Sequence, residues 1–186
     1  MWRASACANC MQRITRAPEP MLASSHVSET PAMQWLRKHK VPFSLHVYDY
    51  VEHGGTAESA RQLGMEEHRI IKTLVMQDET TKPLVVLMHG DRKVSTKRLA
   101  RQIGCKSLAA CLPEVAQRHS GYQVGGTSPF ALRKPMPIYV EASVLGLPQM
   151  LVNAGRRGVL LAIDPAVLIV HLKALPVECA LAPADR

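Results

Sequence analysis

Two apolar runs constrain this chain more than anything else in it. In RIIKTLVM, residues 69–76, Ile70, Ile71, Leu74, Val75 and Met76 make a short, nearly continuous apolar stretch, and PLVVLMHG follows from Pro83. A short polar segment, Asp78 to Lys82, separates them. Apolar runs of this length bounded by turn residues read as buried strands, and the pair reads as a hairpin. Lys72 interrupts the first run. Lysine is rarely fully buried without a partner, so its ammonium raises the question of what it faces. On pattern alone, an edge-strand lysine with a packed stem and a solvated head is the simpler reading.

Other elements build outward from that hairpin. Thr30-Pro31 has the composition of a helix start, an N-cap followed by proline in the first turn, with Met33 and Leu36 facing inward up to Lys40. FSLHVYDY alternates Phe43, Leu45, Val47 and Asp49 against its neighbours, as a strand does. Thr56 is expected to cap a short helix that Gly64 ends, and Ser95 a basic helix with Leu99 and Ile103 inward, ended by Gly104. Pro113 starts a further helix to about Arg118. YQVGGTSPF reads as a glycine-broken strand and loop, PIYVEA and QMLVNAG as two more strands, and Asp164-Pro165 as the start of a last helix through Lys173. The sum is one α+β (mixed α/β) domain over residues 29–186, a mixed sheet of about six strands with helices packed on it. Residues 1–28 show no clear period and read as a flexible N-terminal extension, in which Met11 and Met21 could each begin the chain and Cys7-x-x-Cys10 has metal or redox spacing that nothing completes.

Charge narrows the choice of partner. There are 23 Lys and Arg against 15 Asp and Glu, a net charge of +8, and the pI is near 9.5. The excess concentrates between Asp91 and Lys106, where Arg92, Lys93, Lys97, Arg98, Arg101 and Lys106 face one acid, with Arg133, Lys134, Arg156 and Arg157 beyond. This favours a polyanion partner. Few aromatics are present, which argues against a stacking platform for single strands. The sequence has no apolar run long enough to span a membrane. An odd, scattered set of five cysteines argues for a reducing compartment, and a cytoplasmic location is expected. No complete metal-ligand set, HExxH, GxSxG or Walker loop occurs, so no cofactor or metal is expected.

Three places could carry chemistry: Lys72; the GYQVGGTSPF stretch, where Gly125-Gly126 would let a ligand approach exposed main-chain N–H groups before Ser128-Pro129 fixes the exit; and VNAGRRG, where Asn153, Gly155, Arg156 and Arg157 could line a pocket and touch phosphates. The bland readings are an edge lysine, a tight turn or bulge, and a hairpin turn with solvated arginines.

Taken together, TPAMQWLRKHKVPFSLHVYDY, LGMEEHRIIKTLVM, QRHSGYQVGGTSPFALRKPMPIYVE and LVNAGRRG resemble the YbaK/ProX family of aminoacyl-tRNA editing domains in order and approximate spacing, over about residues 30–175. They are most similar to its bacterial YbaK branch, the Cys-tRNA(Pro) deacylases. The resemblance implies the fold of that family and a trans-editing deacylase whose ligand is the 3′ acceptor end of charged tRNA, with prolyl-tRNA synthetase as a candidate partner. It implies that Lys72 contacts the terminal adenosine, its phosphate or the ester, and that Gly125 and Gly126 supply N–H donors to a developing oxyanion. It places Tyr48, Gly125, Gly126, Ser128 and Glu141 at or beside the pocket. Thr73, Pro129, Asn153 and Gly155 are further candidates for substrate binding, and the basic residues Lys97, Arg98, Arg101, Arg156 and Arg157 are candidates for tRNA binding, with a solvated face as the alternative for Lys97, Arg98 and Arg101 of the basic helix. In the YbaK branch the implied mechanism is substrate-assisted, the cysteinyl thiol attacking its own ester carbonyl. Ala-tRNA(Pro), another small aminoacyl group, or a non-catalytic tRNA-binding module are the alternatives. Where close relatives often carry an aromatic residue and Ser-Gly-Gly, this chain has Gly54-Gly55-Thr56 and Asn153-Ala154-Gly155.

Overall fold

The structure, a computed structural model, describes residues 27–181. The expected extension therefore lies outside the described residues except for Val27 and Ser28, and Val27 packs against the main core.

The hairpin is the middle of the sheet. Strands β2 (Ile70–Asp78) and β3 (Pro83–His89) pair antiparallel, with Ile71 opposite His89 and Gln77 opposite Pro83. Around them stand β1 (Ser44–Val47), β4 (Leu108–Ala110), β5 (Ile138–Glu141), β6 (Met150–Asn153), β7 (Val159–Ile163) and β8 (Leu175–Val177). The order across the sheet is β1-β7-β6-β2-β3-β5-β8, and β4 pairs with the far end of β2. The β2–β6, β3–β5 and β5–β8 pairs are parallel and the others antiparallel, which makes the sheet mixed.

Helices cover both faces. Alternation along a strand sends odd- and even-numbered side chains to opposite sides. Ile71, Val75, Val85 and Leu87 join a core with Met33 and Leu36 of α1 (Pro31–Lys38), Ala116 of α4 (Pro113–Ser120) and Leu168 of α5 (Ala166–Val170). Met76, Leu84, Val86 and Met88 join a second core with Leu99 and Ala100 of α3 (Thr96–Ile103). Ile70, Leu151 and Leu160 meet Ala60 of α2 (Gly55–Leu63) in a third. Burial on both faces is why β3 is apolar without alternation.

Local signals at the helix ends hold. Thr30 accepts from Met33 N–H with Pro31 at the first helical position, and Ser95 accepts from Arg98 N–H. Gly64 and Gly104 end their helices in the left-handed conformation. Other expectations are corrected. Thr56 does not cap α2: Gly54 precedes the helix without a side-chain bond, and the Thr56 hydroxyl is used elsewhere. YQVGG contains no strand; it is turn and loop throughout. Among the described residues the sheet has eight strands and not about six, because β4, β7 and β8 carry no alternation to mark them. The last helix stops at Val170, short of Lys173. Strand β1 leaves Leu45 39% and Val47 49% exposed, since among the described residues it is an edge strand paired only with β7. Among the described residues no helix is long and apolar enough to cross a membrane.

Candidate active site

A cleft of about 660 Å³ opens along β2 and is walled by the Tyr48–Val51 segment, the start of α2, the Val124–Thr127 turn and the end of β6. Its floor exists because β2 is incompletely paired on one edge. Strand β6 reaches only Ile70 and Ile71, and β4 begins only at Met76. In an antiparallel strand a residue's N–H and C=O point to one edge, and successive residues alternate. The Val75 carbonyl accepts from Cys111 N–H at 3.1 Å on the β4 side. Thr73, two residues earlier, therefore turns its own N–H and C=O to the same edge, where no strand among the described residues meets them. Its hydroxyl is buried and has no hydrogen-bond partner among the described residues.

Lys72 stands beside this gap, half-buried, with its side chain on the opposite face of the sheet from that of Thr73. Its ammonium donates to the carbonyls of Gly90 at 2.9 Å and Arg92 at 2.6 Å. That leaves one of its three protons without an acceptor among the described residues, beside the cleft it lines. Burial pushes its pKa down, and the carboxylates of Glu67 and Asp91 oppose the shift. Thus the hydrogen-bond partners of the ammonium are two backbone carbonyls, while Glu67 and Asp91 act on it only through space.

The opposite wall is tied together by side-chain-to-backbone bonds. Asn153 Nδ2 donates to the Gly125 carbonyl at 3.0 Å while its Oδ1 accepts from Gly155 N–H at 2.9 Å. Arg157 Nε donates to the Val124 carbonyl at 2.9 Å, and its guanidinium lies 4.7 Å from the Tyr50 ring centroid. Gln62 of α2 pins the aromatic segment by bonding both the N–H and the C=O of Asp49. Tyr48 lines the cleft, and burial pushes its phenol up. Cys111 also borders it; burial raises that thiol, which keeps it protonated at neutral pH.

The structure thus gathers Lys72, Thr73, Tyr48, Gly125, Asn153 and Arg157 at one cleft. Other candidates lie elsewhere. Gly126 is buried against the Arg156–Arg157 backbone, and its N–H already donates to Gln123 O at 2.9 Å, so it is not a free donor. Ser128 and Pro129 are buried beneath the loop, where Ser128 Oγ accepts from Phe130 N–H. Glu141, 6% exposed, ends β5, with β3 between it and β2; its carboxylate takes the N–H groups of Cys179 and Ala180 at 2.8 Å each and anchors the C-terminal segment. Gly155 makes a turn against the Tyr122 ring. Arg156 borders a separate hollow of about 260 Å³. Lys97, Arg98 and Arg101 are exposed on α3, where Arg98 reaches the Ala180 carbonyl at 3.3 Å; Thr96 at the start of that helix lines the cleft. Sequence reasoning missed Tyr50, Val51 and the Thr56–Glu67–Gly90 contacts. An aromatic residue two positions after Tyr48 was the only available signal for the first.

Comparison with known proteins identifies the family to which this fold belongs. The family profile described as "Aminoacyl-tRNA editing domain" matches residues 52–169. The EbsC protein of Enterococcus faecalis, named as a candidate Cys-tRNA(Pro)/Cys-tRNA(Cys) deacylase, is 32% identical over 142 residues, 76% of this chain and 87% of that protein. A proline–tRNA ligase of Limosilactobacillus fermentum is 28% identical over 105 residues, 54% of this chain but only 18% of the ligase. The solved structure of a candidate trans-editing enzyme for prolyl tRNA synthetase superposes with a TM-score of 0.71 at 21% identity, covering 83% of this chain and all of that one. With the profile spanning more than half of the sequence and EbsC aligned over nearly its whole length, this chain belongs to the aminoacyl-tRNA editing domain family.

Proposed function

We propose that the protein is a trans-editing deacylase that removes a wrongly attached amino acid from charged tRNA, with Cys-tRNA(Pro) as its main substrate. One observation carries the reading. In a chain of this family, a half-buried ammonium sits in the cleft wall with one proton uncommitted, next to an open stretch of backbone. A fixed positive charge in a partly desolvated site stabilises a developing oxyanion far better than one in water.

The chemistry asks little more of the protein. An aminoacyl ester is already activated, so holding the reacting atoms in line supplies much of the rate. In a cysteinyl ester the substrate's sulfur attacks its own carbonyl carbon. A carbon–sulfur bond forms, the bond to the ribose oxygen breaks, and the thiol proton ends on that oxygen. Lys72 and the Thr73 edge would face the carbonyl as its charge grows. Asn153 and Arg157 hold the Val124–Gly125 turn that closes the far side. The resemblance to a segment of proline–tRNA ligases supports tRNA(Pro) as the carrier and prolyl-tRNA synthetase as a partner. Thr96, at the start of α3, lines the cleft, and the exposed cations that follow it on that helix suit the acceptor stem; the reaction belongs in the cytoplasm, where charged tRNA is made.

Single-turnover deacylation across a panel of charged tRNAs, with Cys-tRNA(Pro), Ala-tRNA(Pro) and Cys-tRNA(Cys) included, tests this. Cys-tRNA(Pro) should be cleared fastest. Faster clearance of Ala-tRNA(Pro) would shift the substrate to alanine, and salt-dependent binding without turnover of any member would leave a tRNA-binding module.

A further inference from the structure

The acceptors that hold Lys72 lie in a turn, and that turn is itself braced. We infer that Asp91 and His68 are positioning residues for Lys72, fixing the Gly90–Arg92 turn whose two carbonyls hold its ammonium. The inference deepens the deacylase reading given above.

The brace runs through one short segment. His89, the last residue of β3, is fully buried; one ring nitrogen lies 2.6 Å from the His68 carbonyl and the other 2.8 Å from Ser143 Oγ. The His68 ring stacks on it, centroids 3.7 Å apart and planes 12° from parallel. From that stacked position His68 Nδ1 meets both carboxylate oxygens of Asp91, at 2.9 and 3.1 Å. The Thr56 hydroxyl lies 3.2 Å from the Gly90 carbonyl and 2.7 Å from Glu67 Oε1. At Gly90 itself there is no room for a side chain, since a Cβ would stand 2.6 Å from the Glu67 carbonyl. The turn is thus packed onto Glu67 and His68, which lead through Arg69 into the strand that carries Lys72. The same two residues set the register of the lysine and of its acceptors.

That arrangement matters because a lysine side chain is flexible and its head is a point charge. Released from the two carbonyls, it would sample water or swing toward Glu67, whose carboxylate already acts on it. An exposed Asp–His pair contributes little to stability in general, so a purely structural account gives Asp91 almost no measurable role. A bracing account gives it a role only through Lys72.

The experiment uses the full chain and two readouts. The charged groups around Lys72 are Glu67, Asp91 and Lys93, with Arg92 Nε 3.6 Å from Asp91, so Asp91→Asn is chosen because it keeps shape and removes charge. First, the 15N-detected ammonium signal of Lys72, assigned by its loss in Lys72→Met, reports proton exchange with water without any substrate. Exchange should quicken at least about tenfold in Asp91→Asn and in His68→Gln, while Asp91→Glu keeps most of the protection. Second, single-turnover deacylation should fall roughly 10- to 100-fold in Asp91→Asn with tRNA affinity unchanged, as expected when a reacting group is misplaced without losing a binding contact. In the Lys72→Met background, Asp91→Asn should cost nothing further. Unchanged exchange in a folded Asp91→Asn protein overturns the inference even if no substrate is ever turned over. An equal rate loss from Asp91→Asn with and without Lys72 overturns it too.

Discussion

Replacing Lys72 by methionine should separate stability from catalysis. The substitution keeps an unbranched side chain and removes the ammonium. In the folded protein it strips the donor from the Arg92 carbonyl and one of two hydroxyl or ammonium neighbours from the Gly90 carbonyl. An orphaned buried acceptor costs ~1–3 kcal/mol. Relief from desolvating a charge offsets part of this, since burial is the main force acting on the Lys72 pKa. A net loss of ~1 kcal/mol corresponds to about 2–4 °C in Tm for a domain of this size. The rate should respond far more. Loss of one charge-assisted contact to a developing oxyanion costs ~2–4 kcal/mol, roughly 30- to 700-fold. Lys72→Arg should recover little, because two carbonyls that converge on a single nitrogen do not match a planar fork. The pH dependence carries opposite signs in the two assays. The native pKa lies below the ordinary 10.5. The burial cost is thus fully present at neutral pH and is relieved as pH rises from the native value toward the unfolded one. In that window wild type should gain stability relative to Lys72→Met, while its deacylation rate falls as the charge is lost. Thermal melts, chemical denaturation and single-turnover assays on both proteins read all three quantities. A folded methionine variant that deacylates Cys-tRNA(Pro) as fast as wild type would show that the ammonium only ties the Gly90–Arg92 turn to the sheet.

Other outcomes follow from the same geometry. Thr73→Val removes a buried hydroxyl that has no partner among the described residues, so it should stabilise the fold by ~1 kcal/mol in denaturant titration and yet slow deacylation; unchanged turnover would mean the hydroxyl is idle. His89 is fully buried, and desolvation holds its pKa below 6.5, so wild-type stability should fall as pH drops through the window below 6.5, and His89→Gln should flatten that fall between pH 7 and 5. Gly155 has φ +93°, and a Cβ there would stand 2.7 Å from Tyr122 Cε1, on a ring whose hydroxyl is tied to the Phe130 carbonyl at 2.7 Å; Gly155→Ala should cost roughly 2–4 kcal/mol by thermal melt. Neutralising Lys97, Arg98 and Arg101 together should flatten the log–log salt dependence of tRNA binding by about 2, and an unchanged slope would make α3 a merely solvated face.

What the sequence settles here is local. A cap is one side chain bonding the backbone three residues on, so Thr30 and Ser95 could be read directly, as could the left-handed glycines 64 and 104. The β2–β3 hairpin was legible because its partners are neighbours in the chain and their burial forces apolar runs. Linked motifs also pointed to the family. The tertiary structure decided the rest, because the deciding groups are backbone atoms or distant in sequence. Short strands such as β4 and β8 exist only because a neighbour's open edge meets them. Glu141 looked like a pocket acid, yet β3 separates it from β2 and two N–H groups 38 and 39 residues away claim it. Gly126 looked like a free donor until the turn engaged its N–H. Lys72 is the clearest case. Its place in an apolar strand announced an unusual lysine, but its partners are the carbonyls of residues 18 and 20 positions later. Every residue has a carbonyl, so no pattern of side chains can name the two that a fold will bring within reach of an ammonium.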